Sequence, residues 1–245
     1  MPLPKQSNSA FVVTGAGRGL GAAIAEEAAE LGYPVALIAR TKSDLEKVQS
    51  EVEKQGIKCS IHVCDLSSEE SVASAFKEIS DQHGSIRALV NNAATWTGGV
   101  SVEDLSTNDL KKSLDLNFFS AFYPIKETLK IWRSGRQEDL CIINIGATAS
   151  KRGGANMSPF ALAKSSLRIL SESMARELGK DGVHVGHLII DGLIDNERTR
   201  NLNKNASDDS FIPPGNFAKS ILSVVEQDRS CWTFEWEVRP YNEKW

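Results

Sequence analysis

Short apolar runs alternate along this chain with longer stretches in which apolar residues recur every three or four positions. The runs Phe11–Thr14, Val35–Ala39, Ile57–Val63, Ile86–Val90, Leu140–Ile145 and Val183–Ile190 read as strands buried on both faces. Between them, Leu20–Leu31, Ser43–Gln55, Ser68–His83, Asp109–Trp132 and the segment from Ser158 to Leu178 predict helices. Gly32 and Gly56 punctuate the first two, and Gly179 stops the last. Ser158 is placed to cap its helix, with Pro159 in the first turn, where proline is tolerated. The polar segment Asp195–Pro214, rich in Asn, Asp and Ser, predicts a mobile loop, and a helix follows over about Asn216–Glu226. Trp232–Val238 alternates apolar and polar residues, as does a strand with one buried face, and its expected place is a sheet edge.

Strand, helix and strand in repeated succession require parallel pairing with crossovers, so helices cover both faces of one sheet. The predicted class is α/β: a Rossmann-like, doubly wound parallel sheet of about seven strands. No linker, repeat or low-complexity stretch interrupts the 245 residues, which predicts one dinucleotide-binding domain over 1–245.

Composition narrows the function little. Hydrophobic residues at 41% and charged residues at 24% are ordinary for a globular chain. A net charge of −4 without a basic run argues against nucleic-acid binding. Cys59, Cys64, Cys141 and Cys231 form no Cys-x-x-Cys pair and no metal spacing with the four histidines, so no metal and free thiols are expected. No run approaches the ~20 apolar residues of a membrane span, so no membrane partner is expected. Met1–Ser9 lacks the apolar centre of a secretion signal. The cytoplasm is the expected location.

Candidate chemistry begins at Thr14-Gly15-Ala16-Gly17-Arg18-Gly19-Leu20-Gly21, after the first strand and opening the first helix. Glycines there permit a tight turn and close approach to a pyrophosphate, and the helix start offers unpaired N–H groups. With this motif stand Asn91-Asn92-Ala93-Ala94 after the fourth strand, Asp65-Leu66 after the third, and Leu116-Asn117-Phe118 in the long helix. In these motifs, their order and their spacing, essentially the whole chain resembles the short-chain dehydrogenases/reductases. The resemblance implies a nicotinamide cofactor, a small-molecule substrate and a homodimer or homotetramer. It implies cofactor contacts from the glycine turn, Asp65, Leu66, Asn92, Ala93, Ala94, Lys164, Gly192 and Ile194.

Strand two ends Ile38-Ala39-Arg40-Thr41, without the acid that would bind a ribose 2′-hydroxyl and repel a 2′-phosphate. Arg40 and Arg18 offer forked donors to such a phosphate, so NADP(H) is the expected cofactor. At the catalytic positions the resemblance breaks twice. Phe160 in Ser158-Pro-Phe160-Ala-Leu-Ala-Lys164 stands where the family has its proton-donating tyrosine, and Ala147 falls where it has serine. Asn117 and Lys164 remain; Thr148 and Asp191 are the candidates to supply the lost hydroxyl or acid. Two functions stay open: an NADP(H)-dependent oxidoreductase with a non-standard site, acting on a small carbonyl or conjugated alkene, and an inactive NADP(H)-binding redox sensor acting through a partner. Leu162, Leu167, Leu170 and Met174 exceed a narrow core stripe on their helix, and the tail Arg239–Trp245 carries aromatics; both are expected at subunit contacts.

Overall fold

The computed structural model describes residues 9–135 and 139–243. Seven parallel strands form the sheet: β1 Ala10–Thr14, β2 Val35–Ala39, β3 Cys59–Val63, β4 Ile86–Asn91, β5 Leu140–Ala147, β6 Val183–Ile190 and β9 Glu235–Val238, in the order β3-β2-β1-β4-β5-β6-β9. A two-residue ladder joins β7 Leu193–Ile194 to β8 Phe211–Ile212. Helices α1 Gly19–Glu30, α2 Lys42–Glu53, α3 Glu69–His83, α4 Thr107–Leu114, α5 Ser120–Ser134, α6 Ser158–Leu178, α7 Glu197–Leu202 and α8 Pro214–Val225 connect them.

The period-two geometry of a strand sends alternate residues of β1 to opposite faces. Phe11 and Val13 join one core with Ile24 of α1 and Phe217 of α8; Ala10 and Val12 join the other with Phe76 of α3 and Trp132 of α5. Burial on both faces is why these strands are written in continuous apolar residues. Burying a large apolar side chain fully contributes about 1.5–3 kcal/mol. Strand order reverses between β1 and β4, and in such sheets the crevice outside the carboxyl ends at that reversal takes the ligand.

Four expectations need correction. The helix foreseen over Asp109–Trp132 is two helices joined by a π turn at Asp115–Phe119, a wider coil that carries an extra residue without breaking the rod. The loop foreseen at Asp195–Pro214 is folded. Arg200 pairs with Asp195 at 2.5 Å and Asp208 at 2.8 Å, its guanidinium lies 4.6 Å from the Phe211 ring, and α7 and β8 form around that clamp. Ser158 is the first residue of α6 rather than its cap; Met157 takes the cap position and supplies no side-chain acceptor. On α6, Leu167 and Met174 turn inward into the cores, so the outward apolar residues are Leu162 and Ile169. In the tail, the Tyr241 hydroxyl donates to Asp209 of the same chain at 3.1 Å, while Lys244 and Trp245 lie outside the described residues.

Candidate cofactor and active site

Gly15 turns the chain out of β1 at φ +66°, in the left-handed region that glycine enters without strain. A Cβ on Gly21 would stand 2.3 Å from the Gly15 carbonyl oxygen and 2.7 Å from Asn92 Nδ2, so the first turn of α1 fits the glycine loop only without a side chain. The Asn92 amide donates to the carbonyls of Thr14 (3.0 Å) and Gly15 (3.2 Å), and Thr14 Oγ1 accepts from the N–H groups of Asn92 (3.1 Å) and Ala93 (3.2 Å). The turns after β1 and β4 are thereby held as one rigid rim.

Over that rim lies an open cavity of about 360 Å³. It is lined by Gly15, Gly17, Arg18, Arg40 and Thr41 from one side and by Asp65, Leu66, Asn92, Ala93 and Ala94 from the other. Gly19, Leu20 and Gly21 stand behind it in α1. Gly192 packs against Pro240, and Ile194 is paired with Ile212 and packed on the core; neither reaches this cavity. Arg18 and Arg40 are exposed and form no ion pair among the described residues, so both guanidinium groups are open to a ligand. The Asp65 carboxyl is held below its usual range, first by the Ser67 hydroxyl (2.7 Å) and N–H (3.0 Å), and further by the charge of Arg40.

Sequence reasoning missed Asp44. It lines the same cavity from the first turn of α2, its Cβ close behind Gly17. Its only sequence signal is an acid at a helix start, which many surface helices show. Ala39, Cys64, Ser67, Thr95, Leu116 and Ser120 complete the lining and were equally unforeseen.

The catalytic candidates gather at the ends of β5 and β6. The Lys164 ammonium, on α6 and only 3% exposed, donates to the Ile145 carbonyl at 2.8 Å. Burial pulls its pKa down to about 8. The Phe160 ring lies one turn earlier, its centroid 5.9 Å from Lys164 Nζ and 5.2 Å from the Trp96 ring, with Ala149 and Ala161 packed beside it. Asn117 lies in the π turn: its Oδ1 accepts from Thr95 N–H at 2.9 Å and its Nδ2 donates to the Ser113 carbonyl at 3.2 Å. Ser113 Oγ in turn donates to the Pro159 carbonyl at 2.9 Å, which fixes the start of α6 against α4. Thr148 and Asp191 are brought together, the threonine hydroxyl donating to the carboxylate at 2.6 Å; the carboxylate also faces Arg239 at 3.2 Å. Both candidates are therefore committed to each other and to a guanidinium.

His187 on β6 was not foreseen. It is fully buried behind Gly146, where a Cβ would come 2.3 Å from its Nε2, and that nitrogen has no hydrogen-bond partner among the described residues. Burial, and then the positive charge of Lys164, push its pKa down to about 3, so the ring is neutral. Among the described residues, no cluster of His, Cys, Asp or Glu could hold a metal ion and no helix is long and apolar enough to cross a membrane.

Comparison with known proteins agrees with this geometry. Residues 9–207 match the family model of the short chain dehydrogenases. The chain is 31% identical over 220 residues to carbonyl reductase family member 4 of Xenopus laevis, covering 87% of this chain and 89% of that protein. It is 30% identical over 236 residues to the uncharacterized oxidoreductase YxnA of Bacillus subtilis, covering 94% of this chain but only 66% of YxnA. Among solved structures it superposes on a short-chain dehydrogenase from Rhodopseudomonas palustris with a TM-score of 0.82 at 28% identity, covering 96% of this chain and 100% of that one. A metagenomic short-chain oxidoreductase in complex with NADP gives 0.82 at 27% identity, covering 96% and 98%. The chain belongs to the short-chain dehydrogenase family.

Proposed function

We propose that this chain, working as one dinucleotide-binding unit, is an NADP(H)-dependent oxidoreductase with a non-standard active site, acting on a small carbonyl or conjugated alkene. The observation that carries the reading is the cavity above the glycine turn, with Arg18 and Arg40 on its wall and both guanidinium groups without an ion pair among the described residues. The fit is specific in shape: Gly21 has no room for a Cβ, and α1 starts directly after Gly17 and Arg18 of the cavity wall, where a helix N-terminus favours a phosphate. Arg18 and Arg40 would hold a 2′-phosphate, Asp65 and Leu66 the adenine side, Asn92–Ala94 the middle of the dinucleotide, and Lys164 the nicotinamide ribose. Bound there, the cofactor would supply or accept hydride.

The chain's own residues orient and exclude rather than donate. Phe160 replaces a proton donor with an apolar wall, and Asn117 fixes Thr95 beside the cavity. The relatives named as carbonyl reductase and oxidoreductase support the reaction class, and the NADP complex of a 27% identical neighbour supports the cofactor.

Calorimetric titration with NADPH and NADH tests the reading. NADPH should bind at least about tenfold more tightly, and Arg40→Asp should abolish the difference, since a hydrogen bond to a charged group is worth about 1.5–3 kcal/mol. Equal affinities in the unaltered chain would remove the Arg18/Arg40 assignment. Asp44→Asn should tighten NADPH binding a fewfold by removing a like charge from the phosphate's side of the cavity.

A further inference from the structure

The protons available around Phe160 restrict what can be reduced there. Phe160 and Ala147 carry none to give. The Thr148 hydroxyl proton is directed to Asp191 at 2.6 Å, and Asp191 is balanced by Arg239 at 3.2 Å. Ser150, buried in the turn after β5, accepts from the Ala147 N–H at 3.2 Å and sits behind the wall. Lys164 points its ammonium at the Ile145 carbonyl, 2.8 Å away. Meanwhile Trp96, 51% exposed, extends the Phe160 ring outward into a two-ring apolar surface.

From this arrangement we infer that the site takes aryl-substituted, electron-poor acceptors whose hydride adduct is a delocalised anion, aryl nitroalkenes being the simplest example. The inference rests on the oxidoreductase reading above. For an aryl nitroalkene, hydride from the reduced nicotinamide dinucleotide forms a C–H bond at the aryl-bearing carbon. The alkene electron pair moves onto the nitro group, giving a nitronate, and the dinucleotide leaves oxidised by two electrons. The proton that completes the nitroalkane enters afterwards from water at the carbon bearing nitrogen. No side chain transfers a proton while hydride moves. A simple ketone differs: its adduct is a localised alkoxide, strongly basic, which needs an acid within hydrogen-bond reach at the moment of transfer. Lys164, still mostly ammonium at neutral pH, supplies one positive charge toward a spread negative charge. The aryl ring of the acceptor stacks on Trp96 and Phe160, a contact worth about 0.5–1.5 kcal/mol beyond burial.

The test compares trans-β-nitrostyrene with acetophenone as acceptors for NADPH, after calorimetry has measured NADPH binding on the same preparation. The unaltered chain should reduce nitrostyrene with a kcat/KM at least about 10²-fold above that for acetophenone. Phe160→Tyr should raise acetophenone reduction by about that factor, NADPH titration of the variant showing that it is folded, and no rise in a variant that still binds NADPH would overturn the inference. Trp96→Ala should weaken nitrostyrene binding about five- to tenfold by calorimetry, a readout independent of turnover. An NADPH-binding chain that reduces acetophenone as fast as nitrostyrene, or reduces neither, overturns this inference and leaves the cofactor assignment standing. A chain that binds neither dinucleotide overturns both.

Discussion

Arg40 and Asp44 face one cavity with opposite charges, and only one of them was visible as a determinant in the sequence. Arg40 directly follows β2, where a sequence reading looks for the residue that selects a dinucleotide; Asp44 reaches the same wall only because α2 turns back over Gly17. The glycines were legible for the opposite reason: their requirement is local. Gly21→Ala tests this directly. Its methyl would meet the Gly15 carbonyl oxygen at 2.3 Å and, at 2.7 Å, the Asn92 amide nitrogen, which is itself held by the Thr14 and Gly15 carbonyls. The variant should lose about 1–3 kcal/mol of stability, several degrees in Tm, and at least tenfold in NADPH affinity. A full-strength titration with Gly21→Ala would mean the rim is softer than its hydrogen bonds imply. His187 was illegible: strand periodicity says that a residue is buried, not that a ring nitrogen behind Gly146 stays unpartnered among the described residues.

Between β3 and α3 lies a proton chain with one arrangement when both imidazoles are neutral. His62 Nδ1 donates to Glu78 at 3.2 Å, so its Nε2 must accept from the Ser60 hydroxyl at 2.9 Å, and Ser60 Oγ must accept from His83 Nε2 at 2.9 Å. Burial lowers the pKa of His62, and that of His83 to about 4, against an ordinary value near 6.5. The unfolded chain therefore binds the protons first. Stability should hold above pH 6.5 and fall as the pH drops from there toward 4, by a few kcal/mol. Urea midpoints at pH 7.5, 6 and 5 measure the slope, and His83→Gln should lessen it, leaving the share of buried His187, whose pKa is lowered in the same sense; an unaltered slope would assign the acid lability elsewhere. At the other end of the sheet, the folded segment 195–212 depends on Arg200, which pairing and charge alone would not have announced in a stretch without periodicity. These ion pairs are exposed, so Arg200→Ala should shift Tm little, yet it should speed hydrogen exchange through α7. Protection unchanged in that variant would mean that the β7–β8 pairing suffices. The π turn escaped notice because an extra residue in a helix leaves apolar spacing nearly intact on either side.

For the whole molecule, alternation of short apolar runs with amphipathic segments was enough to give the sheet, its parallel sense and its edge strand, since each follows from burial and chain connectivity. What was not recoverable is which outward residues await another surface. Leu162 and Ile169, 48% and 57% exposed, lie seven positions apart on one side of α6. We expect light scattering to report a dimer or tetramer, and Leu162→Glu with Ile169→Glu to yield a monomer; an oligomer unaffected by both changes would move the contact to another face. The edge strand has a consequence during synthesis. β6 is paired on one side by β5, but its other side stays open until β9 emerges about 45 residues later. At ~5–20 residues per second a nascent chain spends several seconds with that hydrogen-bonding edge, and the notch at Gly186 into which the Trp236 ring fits, uncovered. The ribosome-bound intermediate, rather than the finished protein, is thus the species most exposed to misassembly and the one a chaperone would meet.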